Sequence, residues 1–285
     1  MIEAGTEFEA RPPDQVVAHA DEGVRRGFLY RRSGMLITQL VTLALILGVW
    51  EWYAADKSIA LIAPPSKVAI AAYRLVVTNQ ELLFALGGSV STMFVGLTLA
   101  VAIGIPLGIV MGRSRTVESI LDPYVVFLYV LPSVAFVPVL VVMLGIDVQL
   151  RLALIFLSAV FPLTINTIAG VKNVDAELVD GGRSFCASEL QIMRTIIVPA
   201  SIPFIFAGLR IGFSAAWVGA IVAEMTAIIT GVGGLLLESA SRFRTADVFV
   251  AIFGIMVVAV TIQILTAALE RRITPWRRSE EAEHP

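Results

Sequence analysis

Few residues in this chain are equipped for chemistry, and the shortage narrows what it does. One cysteine, Cys186, and two histidines, His19 and His284, are its whole supply of thiol and imidazole. A lone cysteine forms no intrachain disulfide, and nowhere do His, Cys and carboxylate residues stand at metal-ligand spacing. A metal centre, a redox centre or a cysteine–histidine nucleophile is therefore not expected. The phosphate-loop pattern GxxxxGK[ST] does not occur. Gly231-Val-Gly-Gly is glycine-rich but lacks the lysine, and it reads as a loop. No cofactor is expected in this chain.

The other reactive groups lie in apolar surroundings. Arg210 and Glu224 share one long apolar run. A charge near the centre of a bilayer costs about 2.5–3.5 kcal/mol on insertion scales, so each should face protein, water or the interface. Both fall near the ends of the run, roughly 21 Å apart along a helix, too far to pair within it. The expectation for each is a terminal charge with local partners, and for Glu224 the alternative is a place in an outer gate. Ser89, Ser158 and Thr164 are polar positions within similar runs that could also line a path. Ser91, Thr92, Asn166, Thr167, Glu224 and Thr226 are the candidates to line a polar path, although hydroxyls in such helices often bond their own backbone.

The elements that must position these groups are membrane helices. Of 285 residues 57% are hydrophobic and only 15% charged, with a mean hydropathy of +0.85. Soluble domains carry roughly 45–50% apolar and about 25% charged residues. Six runs reach the roughly 20 residues a spanning helix needs. They cover Met35–Tyr53, Ser89–Met111, Ile120–Leu144, Leu152–Val171, Phe204–Ile229 and Val248–Leu269. Runs of this length satisfy their backbone in hydrocarbon only as helices. The first run comes too late and is too long for a cleaved signal peptide, so it reads as a retained first span. A further helix is expected between the first two runs. After Pro64-Pro65, with Ser66 as N-cap, a helix over Lys67–Leu86 is expected outside or along the interface.

Basic residues set the orientation. With the amino terminus inside, the inner segments hold Arg11, Arg25, Arg26, Arg31, Arg32, Arg113, Arg115, Lys172, Arg183, Arg194, Arg271, Arg272, Arg277 and Arg278. The outer ones hold Lys57, Lys67, Arg74, Arg151, Arg242 and Arg244. This follows the positive-inside rule, so both termini are expected in the cytoplasm. The expected organisation is a polar segment 1–34, a membrane domain 35–270 and a polar tail 271–285. Small residues recur every fourth position at Gly96, Ala100, Gly104, Gly108 and Gly112, and again at Gly208, Gly212, Ala216 and Ala220. That spacing lets helix backbones meet closely, which favours packing inside the bundle over a moving interface between two bundles.

The largest inner loop, 172–201, carries the most specific pattern. Asp175–Met193 alternates apolar and polar positions at roughly helical spacing, as a short amphipathic helix or pair of helices does. Gly181-Gly182 weakens a helix but admits a close neighbour. Pro199 and Pro203 mark the expected start of the fifth span. Periodicity alone leaves open an interfacial connection and a docking surface.

The segment from Glu177 to Ser188, continuing to Ile196-Ile-Val-Pro199, resembles the signature loop of binding-protein-dependent ABC importer permeases of type I. The family pattern is EAA, three residues, G, nine residues and I-x-L-P. Asp180-Gly181-Gly182 stands at EAA, Cys186 at the glycine, and Ile196, Val198 and Pro199 at I-x-L-P. The spacing is kept while several identities depart. Cys186 is the departure that matters if the family glycine has a positive φ. Gly104–Gly112, Leu131–Pro138 and Gly231–Leu236 resemble further family segments, and Ala216–Met225 resembles the nitrate, sulfonate and taurine branch.

The resemblance implies an all-α permease fold in the bacterial cytoplasmic membrane, a transport subunit and not an enzyme. It further implies a second permease subunit, two ABC ATPases that bind ATP and Mg, and an external binding protein that delivers a small anion. Asp180, Gly181, Gly182, Arg183 and Cys186 would lie at the ATPase contact. The competing expectations are an ion-coupled secondary transporter and an intramembrane enzyme. The first usually shows buried carboxylates or broken helices near the midplane, of which the sequence suggests almost none, and no nucleophile–base pair supports the second.

Overall fold

A computed structural model describes residues 32–58, 61–226 and 230–273. The polar segment 1–34, apart from its last three backbone positions, and the tail beyond 273 lie outside the described residues, as do His19 and His284. Every described element is helical. Contacts divide the chain into two units, the first ending at Asp56 and the second beginning at Lys57. The first unit contributes α1, Arg32–Ala55. Its apolar side chains are exposed on all sides, from Leu36 through Leu40 and Leu45 to Val49, as expected of a helix solvated by lipid.

The second unit begins with α2, Pro65–Tyr73, capped by Pro64 with Pro65 in its first turn. The cap is therefore Pro64 and not Ser66, because proline's missing N–H is harmless in the first turn. A π turn, Arg74–Thr78, follows. Gln80 then takes a left-handed conformation at φ 54° and α3 starts, running over Glu81–Arg113. The expected outer helix over Lys67–Leu86 is thus two pieces. Its second part belongs to a second span that begins eight positions before Ser89.

The third span is the main correction. Helix α4, Arg115–Val130, stops at Leu131-Pro132. A 3-10 turn, Ser133–Phe136, and α5, Val137–Leu144, leave at 92° to it. Pro132 pushes Leu131 into extended backbone (φ −69°, ψ 127°), and Pro138 stands in the first turn of α5. Among the described residues, five continuous helices are therefore long and apolar enough to span, or six with the broken pair.

Helix α6, Val148–Lys172, lies between α3 and α9, Val198–Thr226. The small-residue stripes explain why. A Cβ on Gly96 would fall 2.5 Å from Ile155, one on Gly108 2.6 Å from Thr167, and one on Gly212 3.1 Å from Leu163. Both stripes meet α6, so they serve packing inside the bundle. Met93, Ile155, Leu163, Phe213 and Trp217 fill the seam. Arg210 pairs with Glu270 at 3.0 Å, on α11, Thr245–Ile273. That helix extends past the expected last span, so its buried carboxylate was invisible to hydropathy.

The fifth span also starts earlier than Phe204. Helix α8, Glu189–Ile192, and a π turn, Met193–Ile197, lead into α9 without a break, giving one helix of 38 residues from Glu189 to Thr226. Pro199 cannot bond the carbonyl of Thr195 and would crowd it. The widened turn just before the proline absorbs that conflict, and the helix continues.

An elbow at one end and a pinned glycine turn at the other

Between α6 and α8 the signature segment folds into an elbow. Asp175 caps α7, Ala176–Ser184, by accepting from the Glu177 N–H at 2.9 Å. The helix ends in a Schellman motif. The Cys186 N–H donates to the Arg183 carbonyl at 2.8 Å, and the Ala187 N–H to the Gly182 carbonyl at 3.1 Å. Cys186 occupies the left-handed position, φ 56°, the one a glycine adopts without cost. Ser188 then opens the next helix with a capping box completed by Gln191.

The elbow's inner side is anchored. Val179, Ala187 and Ile196 pack on a cluster of Val171, Ile192 and Ile197. A Cβ on Gly182 would stand 2.9 Å from Ile196 Cδ1, whereas one on Gly181 would meet nothing within 4 Å. The two glycines thus differ: Gly182 lets α7 lie on its own support, and Gly181 leaves the far side open. Arg183 contacts Asp180 at 3.2 Å and Glu189 at 3.4 Å. Glu189 also pairs with Arg113 of α3 at 2.5 Å, and Lys172 pairs with Glu118. The outer side is apolar and uncovered, with Leu178 57%, Leu190 59% and Phe185 89% exposed.

At the other end of the same long helix stands Glu224, 1% exposed. Its Oε2 accepts from Ser89 Oγ at 2.8 Å and from the Gly233 N–H at 2.9 Å. Ser89 Oγ in turn accepts from the Val232 N–H at 2.9 Å. These are first-turn amides of α10, Gly231–Ser241. A serine and a glutamate from two other helices therefore do the capping that Thr230 does not, with the anion placed where the helix dipole favours it. Gly231, at φ 67°, leaves room for the carboxylate, since a Cβ there would fall 2.3 Å from Glu224 Oε1. Glu224, expected as a terminal charge with local partners, is a buried partner of Gly231-Val-Gly-Gly, which forms the first turn of α10 where a loop was expected.

The family model described as "binding-protein-dependent transport system inner membrane component" matches residues 104–275, which include the elbow and the glycine loop. The chain belongs to that family. Among its relatives, the taurine transport system permease protein TauC of Escherichia coli (strain K12) is 34% identical over 251 residues, covering 86% of this chain and 91% of the relative. SsuC of Bacillus subtilis (strain 168), named for aliphatic sulfonates transport, is 30% identical, covering 91% and 94%. The nitrate import permease protein NrtB of Synechocystis (strain PCC 6803 / Kazusa) is 27% identical, covering 87% and 92%. The permease is thus a multi-pass transport subunit of an ABC importer, of the nitrate, sulfonate and taurine branch.

The candidate path residues other than Glu224 bond the backbone of their own helices. Ser91 and Thr92 both donate to the Gly88 carbonyl, Thr226 to that of Val222, and Asn166 to that of Pro162. Thr167 is fully buried beneath Gly108 and donates to the Leu163 carbonyl. Thr167 and Glu224 therefore lie in helix packing and not on an open wall. The sequence analysis missed Ser89 as the partner of Glu224, and the glycines at 231 and 233 were the available signal. It also missed a broken span and a buried carboxylate, the features it associated with secondary transporters. Glu224 is engaged with Ser89 and Gly233, and the family membership places the chain among ABC permeases.

Proposed function

We propose that the permease imports a small organic or inorganic anion handed over by an external binding protein, with its elbow docked on an ABC ATPase. Candidate cargoes are taurine and other sulfonates, nitrate, bicarbonate and aromatic acids. The proposed assembly contains a second, identical permease and two ATPases, which hold ATP and Mg. The excess of basic residues around the elbow and both termini supports a cytoplasmic location for all three.

The observation that carries this reading is the elbow itself. Its supported side is filled by the permease's own residues, while Leu178, Phe185 and Leu190 stand exposed beside Gly181. Asp180, Gly181, Gly182, Arg183 and Cys186 thereby form or shape a surface for the ATPase. The elbow joins α6 to the helix that ends in α9, and α3, α6 and α9 meet at backbone distance through their glycines. A push on α7 is thus transmitted to a stiff body and moves it as a unit. Because Glu189–Thr226 is continuous, the same helix links the elbow to the glycine loop pinned by Glu224.

Asp180→Lys and Gly182→Trp test the reading by co-purification of the ATPase and ATP-driven uptake. The first removes the partner of Arg183, and the second forces α7 off Ile196. Loss of both ATPase association and uptake, with the membrane domain still folded, is expected. Full retention of both in either folded variant contradicts the proposed docking.

A further inference from the structure

The break in the third span opens a pocket that neither the elbow nor the glycine loop uses. An open pocket of about 470 Å³ lies between the Val130–Ser133 turn, the middle of α6 and the middle of α9, with Val130 and Val218 exposed at its mouth. Ser158 stands roughly 15 Å along α6 from its Val148 end, about half the thickness of a hydrocarbon core. The volume falls within the range of small-molecule sites.

The wall has two characters. Tyr129, Leu131, Phe161, Ile211 and Val218 make most of it apolar, and none of the lining residues is charged. Its polar part is Ser133, Ser158 and Ser214. Ser214 donates to the Arg210 carbonyl and accepts from Gln263 Nε2 at 2.8 Å, so it has no proton to offer. Ser158 Oγ lies 2.8 Å from Ser133 Oγ and 2.8 Å from the Leu154 carbonyl. One hydroxyl proton serves only one acceptor at a time. When Ser158 donates to Ser133, the Ser133 proton is left to turn toward a guest, and when Ser158 donates to Leu154, Ser133 donates back to Ser158.

A guest here must tolerate few donors and no cation. Small inorganic anions lose a tight hydration shell on entry, and the apolar wall returns nothing for it. An organic sulfonate differs in both respects. Its single charge is spread over three oxygens, and its carbon body gains from the aromatic and aliphatic wall. The lack of a cation also keeps the site weak, which a path needs if cargo is to leave.

We propose that this pocket is a mid-membrane resting site for an organic sulfonate. The sulfonate accepts from Ser133, which Ser158 orients, and the carbon body lies against Tyr129, Phe161 and Val218. The inference rests on the anion-import reading and narrows it toward organic sulfonates and away from nitrate.

The test uses the complete transporter, with its ATPases and binding protein, in proteoliposomes. The probes are ethanesulfonate, hexanesulfonate and nitrate. Removing both hydroxyls, as Ser133→Ala with Ser158→Ala, should lower sulfonate uptake about tenfold while ATPase association is kept. Val218→Phe narrows the apolar side from an exposed position and should depress hexanesulfonate at least fivefold more than ethanesulfonate. Should the double variant fail to assemble, Val218→Phe decides alone. Unchanged sulfonate rates and an unchanged chain-length profile in assembled variants overturn the pocket and leave anion import standing. Wild-type uptake of nitrate but of neither sulfonate overturns the pocket alone, and wild-type uptake of no anion overturns both readings.

Discussion

The two ends of the 38-residue helix solve opposite problems with similar parts. Each has a helix terminus, a glycine pair and an acidic side chain. At the Glu224 end the chain uses them on itself: Glu224 and Ser89 take up the first amides of α10, Gly231 admits the carboxyl group, and Gly233 lets α10 approach the Ile221 carbonyl. At the elbow end the polar groups are exposed and an aromatic ring points outward. The difference separates parts that hold the permease together from parts that await a partner. Burial with hydrogen bonds made inside the chain marks the first. Exposed apolar surface on a well-anchored support marks the second.

The comparison makes graded predictions. Removing the buried carboxylate with Glu224→Ala strands the Gly233 amide and should destabilise the solubilised permease by about 3 kcal/mol. Thermal unfolding should read this as a fall of roughly 6–12 °C in Tm. An unchanged Tm would mean that the glycine loop is not pinned by this group. Alanine substitutions in the two glycine pairs should diverge next. Gly231→Ala places a Cβ on the carboxylate at a positive φ and should cost about 1–3 kcal/mol. Gly181→Ala meets nothing and should gain up to about 1 kcal/mol as a better helix former. Equal effects at the two sites would erase the distinction. The smallest effect belongs to Cys186→Gly, which relieves a left-handed cysteine and should raise stability by about 1 kcal/mol. A loss of stability there would show that the thiol makes a contact that outweighs the strain.

Much of this architecture was legible in the sequence because it depends on local pattern. Spanning length, the small-residue stripes and the spacing from Asp180 to Pro199 are properties of contiguous residues. Even the significance of Cys186 followed from asking which φ a glycine position needs. What stayed hidden depends on distant partners or on competition between local rules. Ser89 and Glu224 are 135 positions apart, and Arg210 finds Glu270 only once α9 and α11 are packed. Hydropathy saw Ile120–Leu144 as one run and could not weigh Pro132 against it. At Pro199 the opposite happened, since a π turn let the helix pass a residue that was expected to begin it. Two prolines in apolar runs thus had different outcomes. Each had a second proline nearby, but Pro138 opens a new helix whereas Pro203 lies inside α9.

The most direct test of the contrast is Phe185→Asp. The ring is 89% exposed, so its loss should leave the Tm of the isolated permease unchanged, within about 0.5 kcal/mol. ATPase co-purification measured on the same preparation should fall roughly 30-fold or more, as for an anchor residue at an interface. Retained ATPase binding with a normal Tm would contradict the account, because the elbow's exposed side would then not be the docking surface.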